Sequence, residues 1–118
     1  MSETIEDIIL DHDKRGMLAL RPYLPGDYCS QAAQFIIENP GGAIIVTGFY
    51  VVMAGKPETD GPLGAIAIGE ALKSLGRTVT YVSDEYTTPV LRRYASGSEV
   101  IDFPIDGVVN SKGHAKAI

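Results

Sequence analysis

The run Ala43-Ile44-Ile45-Val46 lies between Gly41-Gly42 and Thr47-Gly48, and no other segment constrains the fold as much. Its three consecutive β-branched residues crowd a helix but suit a pleated surface, and the run has no polar member. An unbroken apolar run bounded by turn residues is the pattern of a strand buried on both faces of a parallel sheet. Such a strand needs covering helices, and the sequence supplies helical patterns after it. Pro62 opens a helix whose apolar stripe is Leu63, Ala67, Ala71, Leu72 and Leu75, closed by Gly76. Thr78 to Val82 reads as a second strand, Thr88-Pro89 as the start of a helix carrying Val90, Leu91 and Tyr94, and Glu99 to Phe103 as a third strand.

Strands alternating with helices imply right-handed crossovers. The predicted class is α/β: an open, mainly parallel three-layer α/β/α sandwich of Rossmann-like topology, with an incomplete sheet of three strands. Ahead of it, Ile5, Ile8 and Ile9 follow Ser2 or Thr4, with Glu3, Glu6 and Asp7 in the first turn, so a short amphipathic helix ends near Gly16. Arg21 to Gly26 is extended or turned, because Pro22 and Pro25 disfavour helix for the residues before them. Asp27 then caps a helix whose inward face is Tyr28, Ala32, Phe35 and Ile36, stopped at Asn39-Pro40-Gly41-Gly42. A length of 118 residues provides for one core, so residues 1–106 read as a single α/β domain and 107–118 as a loop or flexible C-terminal tail.

Composition narrows the function classes. Apolar residues at 45% and charged residues at 21% match globular averages, and the Ala43–Val46 run is far too short to span a bilayer. Fifteen acidic against ten basic residues, a formal charge of −5, repel phosphates and anionic lipid, so neither nucleic acid nor a membrane is an expected partner. The adjacent basic pairs Arg92-Arg93 and Lys14-Arg15 read as solvated positions. The single cysteine, Cys29, forms no internal disulfide, there is no zinc framework, and the N-terminus lacks a secretory or transit pattern. A cytoplasmic location is the expectation.

In open parallel sheets ligands bind outside the carboxyl ends of the strands. The residues there are Thr47-Gly48-Phe49-Tyr50, then Ser83-Asp84-Glu85-Tyr86-Thr87-Thr88, then Pro104-Ile105-Asp106. The loop from Gly48 to Gly61 is longer than most connections in α/β units and ends in Glu58-Thr59-Asp60-Gly61-Pro62 at a helix N-terminus. Asp60 or Thr59 as a cap, with Gly61 relaxing the turn, accounts for part of that segment; first-turn amides open to a carboxylate or phosphate account for the rest. Neither the dinucleotide fingerprint nor the P-loop pattern occurs, so NAD and ATP lose their usual support. Asp84-Glu85 fits a solvated turn, a ribose-type acceptor, a general base or a divalent-metal ligand, and adjacency does not choose among them. His12 and His114 fall away from every strand end. Cys29 stands at a helix start, which lowers a thiol pKa, but has no motif around it. Tyr23, Tyr81, Tyr86 and Tyr94 follow apolar spacing and read as core, with Tyr50 the exception because it follows a strand.

The segments Ile44-Ile45-Val46-Thr47-Gly48-Phe49-Tyr50 and Pro57-Glu58-Thr59-Asp60-Gly61-Pro62-Leu63-Gly64-Ala65 form a long ordered pattern. With Ala71-Leu72-Lys73-Ser74-Leu75-Gly76-Arg77, Val82-Ser83-Asp84-Glu85 and the upstream Arg15-Gly16, they resemble the D-glutamate cyclase family, a domain also found as the C-terminal part of the animal D-glutamate cyclases. The resemblance covers nearly the whole chain, as a short or truncated member. It implies a hydro-lyase that converts D-glutamate to 5-oxo-D-proline and water.

That chemistry needs the folded substrate held, the ammonium deprotonated and the departing oxygen protonated. The expected catalytic residues are Glu58 or Asp60 as a member of the acid-base pair, with Asp84 or Glu85 binding the ammonium or a metal. Substrate carboxylates are expected on Thr47, Gly48, Thr59 and Gly61, with Arg15 and Arg21 as clamps. No cofactor is evident, and a divalent metal at Asp84 or Glu85 is the one addition the residues offer. The competing reading is a non-catalytic anion- or nucleotide-binding α/β module or subunit. Two exposed edges on a three-strand sheet point to a homo-oligomer or to a partner chain that completes the sheet.

Overall fold

A computed structural model describes residues 4–105 together with Gly113, Ala115 and Lys116. The expectations for Asp106, His114 and most of the 107–118 tail lie outside the described residues. The chain divides into two compact units, one ending at Pro40 and one beginning at Gly41. No described helix is long and apolar enough to cross a membrane.

The first unit holds α1 (Ile5–Leu10), a 3₁₀ segment (Met17–Tyr23) and α2 (Tyr28–Glu38). Thr4 caps α1 in a reciprocal box: its hydroxyl accepts from the Asp7 amide and the Asp7 carboxylate accepts from the Thr4 amide. α1 stops at Asp11, well before Gly16, and His12 follows at φ 58°. Of the two forms expected over Arg21 to Gly26, a 3₁₀ turn takes Arg21 to Tyr23, where Pro22 tolerates it, and Leu24, just before Pro25, is extended. α2 begins where expected, but Asp27 bonds the Gln31 side chain and makes no backbone cap. The predicted inward faces are not buried: Ile5, Ile8 and Ile9 are each about 60% exposed and Phe35 is 68% exposed. The buried member of α1 is the polar Glu6.

The second unit is built on β1 (Ala43–Val46), β4 (Val79–Ser83) and β5 (Glu99–Asp102), parallel in the order β1-β4-β5. α3 (Asp60–Ser74) links β1 to β4 and α4 (Thr88–Tyr94) links β4 to β5. A short antiparallel hairpin of β2 (Tyr50–Val51) and β3 (Lys56–Pro57) follows β1. The prediction that β1 is buried on both faces is corrected. β1 is an edge strand with Ile44 and Val46 exposed, and the central strand is β4. α3 packs on β1 and β4, α4 packs on β4 and β5, and the two helices touch. Crossovers of one hand that advance in one direction leave their helices on one face. Within this unit the described helices therefore form one layer on an open parallel sheet, and the three-layer sandwich is not seen.

The core between these layers joins Ala65, Leu72, Val79, Tyr81, Leu91 and Ala95, with Ala43, Ile45, Ile66 and Val100 against it. Complete burial of the Leu91 side chain contributes about 1.5–3 kcal/mol. The stripe that α3 buries is Pro62, Ala65, Gly69 and Leu72, while Leu63 and Leu75 are exposed. Small residues win this face because the Tyr81 ring stands under the helix, with its hydroxyl where a side chain at position 69 would have to go. Of the tyrosines expected in the core only Tyr81 is buried; Tyr23, Tyr86 and Tyr94 are exposed. The Tyr81 hydroxyl has no hydrogen-bond partner among the described residues, and burial pushes its pKa up.

Candidate functional site

The carboxyl ends of β1 and β4 are tied together by main-chain and side-chain bonds. The Thr47 amide donates to the Val82 carbonyl at 3.1 Å, and the buried Ser83 hydroxyl donates to the Thr47 carbonyl at 2.6 Å. Gly48 turns the chain out of β1 at φ 130°, a conformation that side chains rarely adopt. A Cβ there would run into the Asp84 carboxylate and the Ser83 hydroxyl, so only glycine lets the two loops approach this closely. At the start of α3 a Cβ on Gly61 would lie 3.2 Å from the Thr47 hydroxyl. Thr47, Gly48, Gly61, Ser83 and Asp84 are thus gathered at one place.

Asp84 is held by the turn it begins. One carboxylate oxygen accepts from the Tyr86 and Thr87 amides, each at 2.9 Å, and the other accepts from the Thr87 hydroxyl at 3.1 Å. Its carbonyl accepts from the Thr87 and Thr88 amides, and both threonine side chains are buried. Of the roles open to Asp84 in the sequence, closing the β4–α4 turn is the one that these contacts perform. Glu85 beside it is exposed. Among the described residues, no group of three His, Cys, Asp or Glu side chains is placed to hold a metal ion.

The acids of the β1 loop are arranged differently. The Glu58 amide donates to the Phe49 carbonyl at 2.7 Å and closes the base of the hairpin, which leaves the Glu58 side chain exposed. Thr59 and Asp60 follow, both exposed, at the first turn of α3. Neither makes the side-chain cap expected of it, and the Glu58 and Asp60 carboxylates have no partner among the described residues. Across the strand ends the ring of Tyr50 stacks on that of Tyr86, with centroids 4.1 Å apart and planes 23° apart.

Arg15 and Arg21 belong to the first unit. Arg21 donates to the carbonyls of Pro25 and Gly26 at 3.2 and 3.3 Å, pairs with Asp7 at 3.7 Å and lies over the Tyr28 ring. Arg15 is exposed, and its amide donates to Asp13. A cleft of about 370 Å³ in this unit is lined by Asp7, Asp11, His12, Asp13, Leu18 and Arg21, among others. The Cys29 amide donates to the buried Glu6 carboxylate at 3.0 Å. The thiol is pushed up by burial and by the Glu6 charge, the opposite of the lowering a helix start suggested.

The sequence pattern that points to this geometry is long enough to identify the chain. The profile of the family described as D-glutamate cyclase-like, C-terminal, matches residues 5–117. The chain belongs to that family. Searches of curated proteins and of solved structures each returned no match. For this family member, the strand-end residues Thr47, Gly48, Gly61 and Asp84 were visible in the sequence as a group. The supporting contacts of Ser83, Thr87 and Tyr86 were not assigned roles there. The spacing Asp84-x-x-Thr87, an acid followed by a hydroxyl at the start of a helix, is the signal that could have found them. The β2–β3 hairpin was also missed, although Gly55 at φ 62° in its turn marked it.

Proposed function

We propose that this chain forms a hydro-lyase site that converts D-glutamate to 5-oxo-D-proline. The observation that carries the reading is the family match over residues 5–117, whose motif residues Thr47, Gly48, Gly61 and Asp84 converge at the strand ends. In the reaction the α-nitrogen bonds to the carbon of the side-chain carboxyl group, and one oxygen of that carboxyl group departs. Two protons pass from nitrogen to that oxygen, so the products are a lactam and water with no net change in charge. Glu58 and Asp60, without side-chain partners among the described residues and adjacent to the helix N-terminus, are suited to accept a proton from the ammonium and return it to the departing oxygen. The uncapped first-turn amides of α3 and the Thr47 hydroxyl supply donors for a substrate carboxylate and for the oxyanion that develops on ring closure. Asp84 holds the opposite wall of the site in shape.

The same uncapped helix start supports a second reading, a non-catalytic anion-binding module. The two readings separate when the purified chain is incubated with D- and L-glutamate and 5-oxoproline is resolved by chiral chromatography against a protein-free blank. Cyclase action yields 5-oxo-D-proline above the blank. Saturable glutamate binding by calorimetry without product assigns the chain to the binding class.

A further inference from the structure

We propose that the Tyr50–Tyr86 stack is a clasp that holds the β2–β3 hairpin in place across the strand ends, which makes both tyrosines positioning residues for the substrate site. The inference rests on the proposed cyclase site and adds to it the means by which Glu58 is held.

The chain of contacts is continuous. Asp84 accepts from the Tyr86 amide and fixes that residue's backbone in the β4–α4 turn. The Tyr86 ring stacks on Tyr50, which belongs to β2 and pairs with Pro57 of β3. Glu58 follows Pro57 and bonds back to Phe49, so the acid sits one residue beyond the strand that the clasp secures. Val51 and Pro57 are half-buried, as Tyr50 is, but Tyr50 is the one aromatic ring in the hairpin. Val52 and Met53 at its tip are 81% and 101% exposed, and the two strands are two residues each. A hairpin so short is marginal without an external anchor. The stack of two aromatic rings is such an anchor, and it reaches from β2 to the turn after β4. Tyr86 is 44% exposed, so part of its ring remains free to border a ligand.

The test uses the full chain and three variants, Tyr86→Ala, Tyr86→Phe and Tyr50→Leu. Hydrogen exchange is followed in the hairpin and in β4, and kcat and KM are measured with D-glutamate. Tyr86→Ala and Tyr50→Leu are expected to speed hairpin exchange by about 3- to 10-fold, the size of an aromatic pair, with β4 unchanged. Both are expected to raise KM by a similar factor with a smaller change in kcat, while Tyr86→Phe keeps the ring and behaves as wild type. Tyr50→Leu removes the stack without touching the β4–α4 turn, so it decides the matter should Tyr86→Ala fail to fold. Unchanged hairpin exchange in a variant lacking the stack overturns the clasp; faster exchange with unaltered kinetics overturns the positioning role. Wild-type protein that does not turn over D-glutamate contradicts the cyclase reading and with it the positioning role, whereas the exchange data still decide whether the clasp exists.

Discussion

Two loops meet at the carboxyl end of the sheet, and each brings acidic residues there under different terms. In the short β4–α4 turn the Asp84 carboxylate accepts three hydrogen bonds from its own loop, and the two threonines of that turn are buried. At the end of the long β1–α3 loop and the first residue of α3, Glu58 and Asp60 are exposed and make no side-chain bonds among the described residues. An acid whose lone pairs are filled by amides maintains a shape, whereas an acid left open at a helix start can exchange protons. Under the proposed function, the contrast divides the strand-end acids into a wall and a working pair. Glu6 in the first unit falls on the structural side, since it is buried and accepts from the start of α2.

The largest expected effect tests the working pair. Glu58→Gln and Asp60→Asn are expected to leave stability within about 0.5 kcal/mol, while at least one of them lowers turnover of D-glutamate by about 100-fold or more. Undiminished turnover in both breaks the contrast from its active side. Next comes Gly48→Ala, which forces a side chain into the left-handed region and against Asp84 and Ser83. A loss of about 1–3 kcal/mol is expected in urea unfolding, the range for a strained backbone position. Asp84→Ala removes the acceptor for two amides and a hydroxyl, for an expected loss of about 1–2 kcal/mol by the same measurement. An unchanged midpoint there would show that the turn does not depend on the acid.

The smallest effect is a pH dependence in the first unit. Glu6 titrates below the ordinary 4.5 because its own amide and that of Cys29 donate to the charged form. A depressed folded-state pKa gives stability that is present above 4.5 and is lost as pH falls through the folded value. Far-UV circular dichroism followed down from about pH 6 to about pH 3 is expected to show helix loss, and Glu6→Gln is expected to make that loss shallower. Asp7 and Asp13 are lowered as well, by bonds from Thr4 and from the Leu18 amide, so a residual slope remains.

The parallel strands and their helices were legible because β-branched runs, helix stops and strand-end glycines are local signals. Ala43–Val46, Asp60–Ser74 and Glu99–Asp102 all fall close to where the pattern places them. What was not legible depends on tertiary position. An all-apolar strand cannot reveal that its second face is left open at a sheet edge, as Ile44 and Val46 are. The buried stripe of α3 escaped hydrophobicity, because Gly69 is selected by the Tyr81 ring below it and not by its own polarity. At the site, residue types marked the right neighbourhood, yet Asp84 and Asp60 look alike in sequence. Only hydrogen bonds to Tyr86 and Thr87 separate the acid that shapes the turn from the one that remains open.

The central claim is that the open acids of the β1 loop carry the chemistry. It is tested most directly by chiral measurement of 5-oxoproline formed from D-glutamate by the wild-type chain, Glu58→Gln, Asp60→Asn and Asp84→Asn, with folding checked in each. The account predicts product from wild type, a fall of about 100-fold or more in at least one of the first two variants, and a smaller fall in Asp84→Asn. Product formation that survives both β1-loop changes but disappears with Asp84→Asn in a folded protein would contradict it.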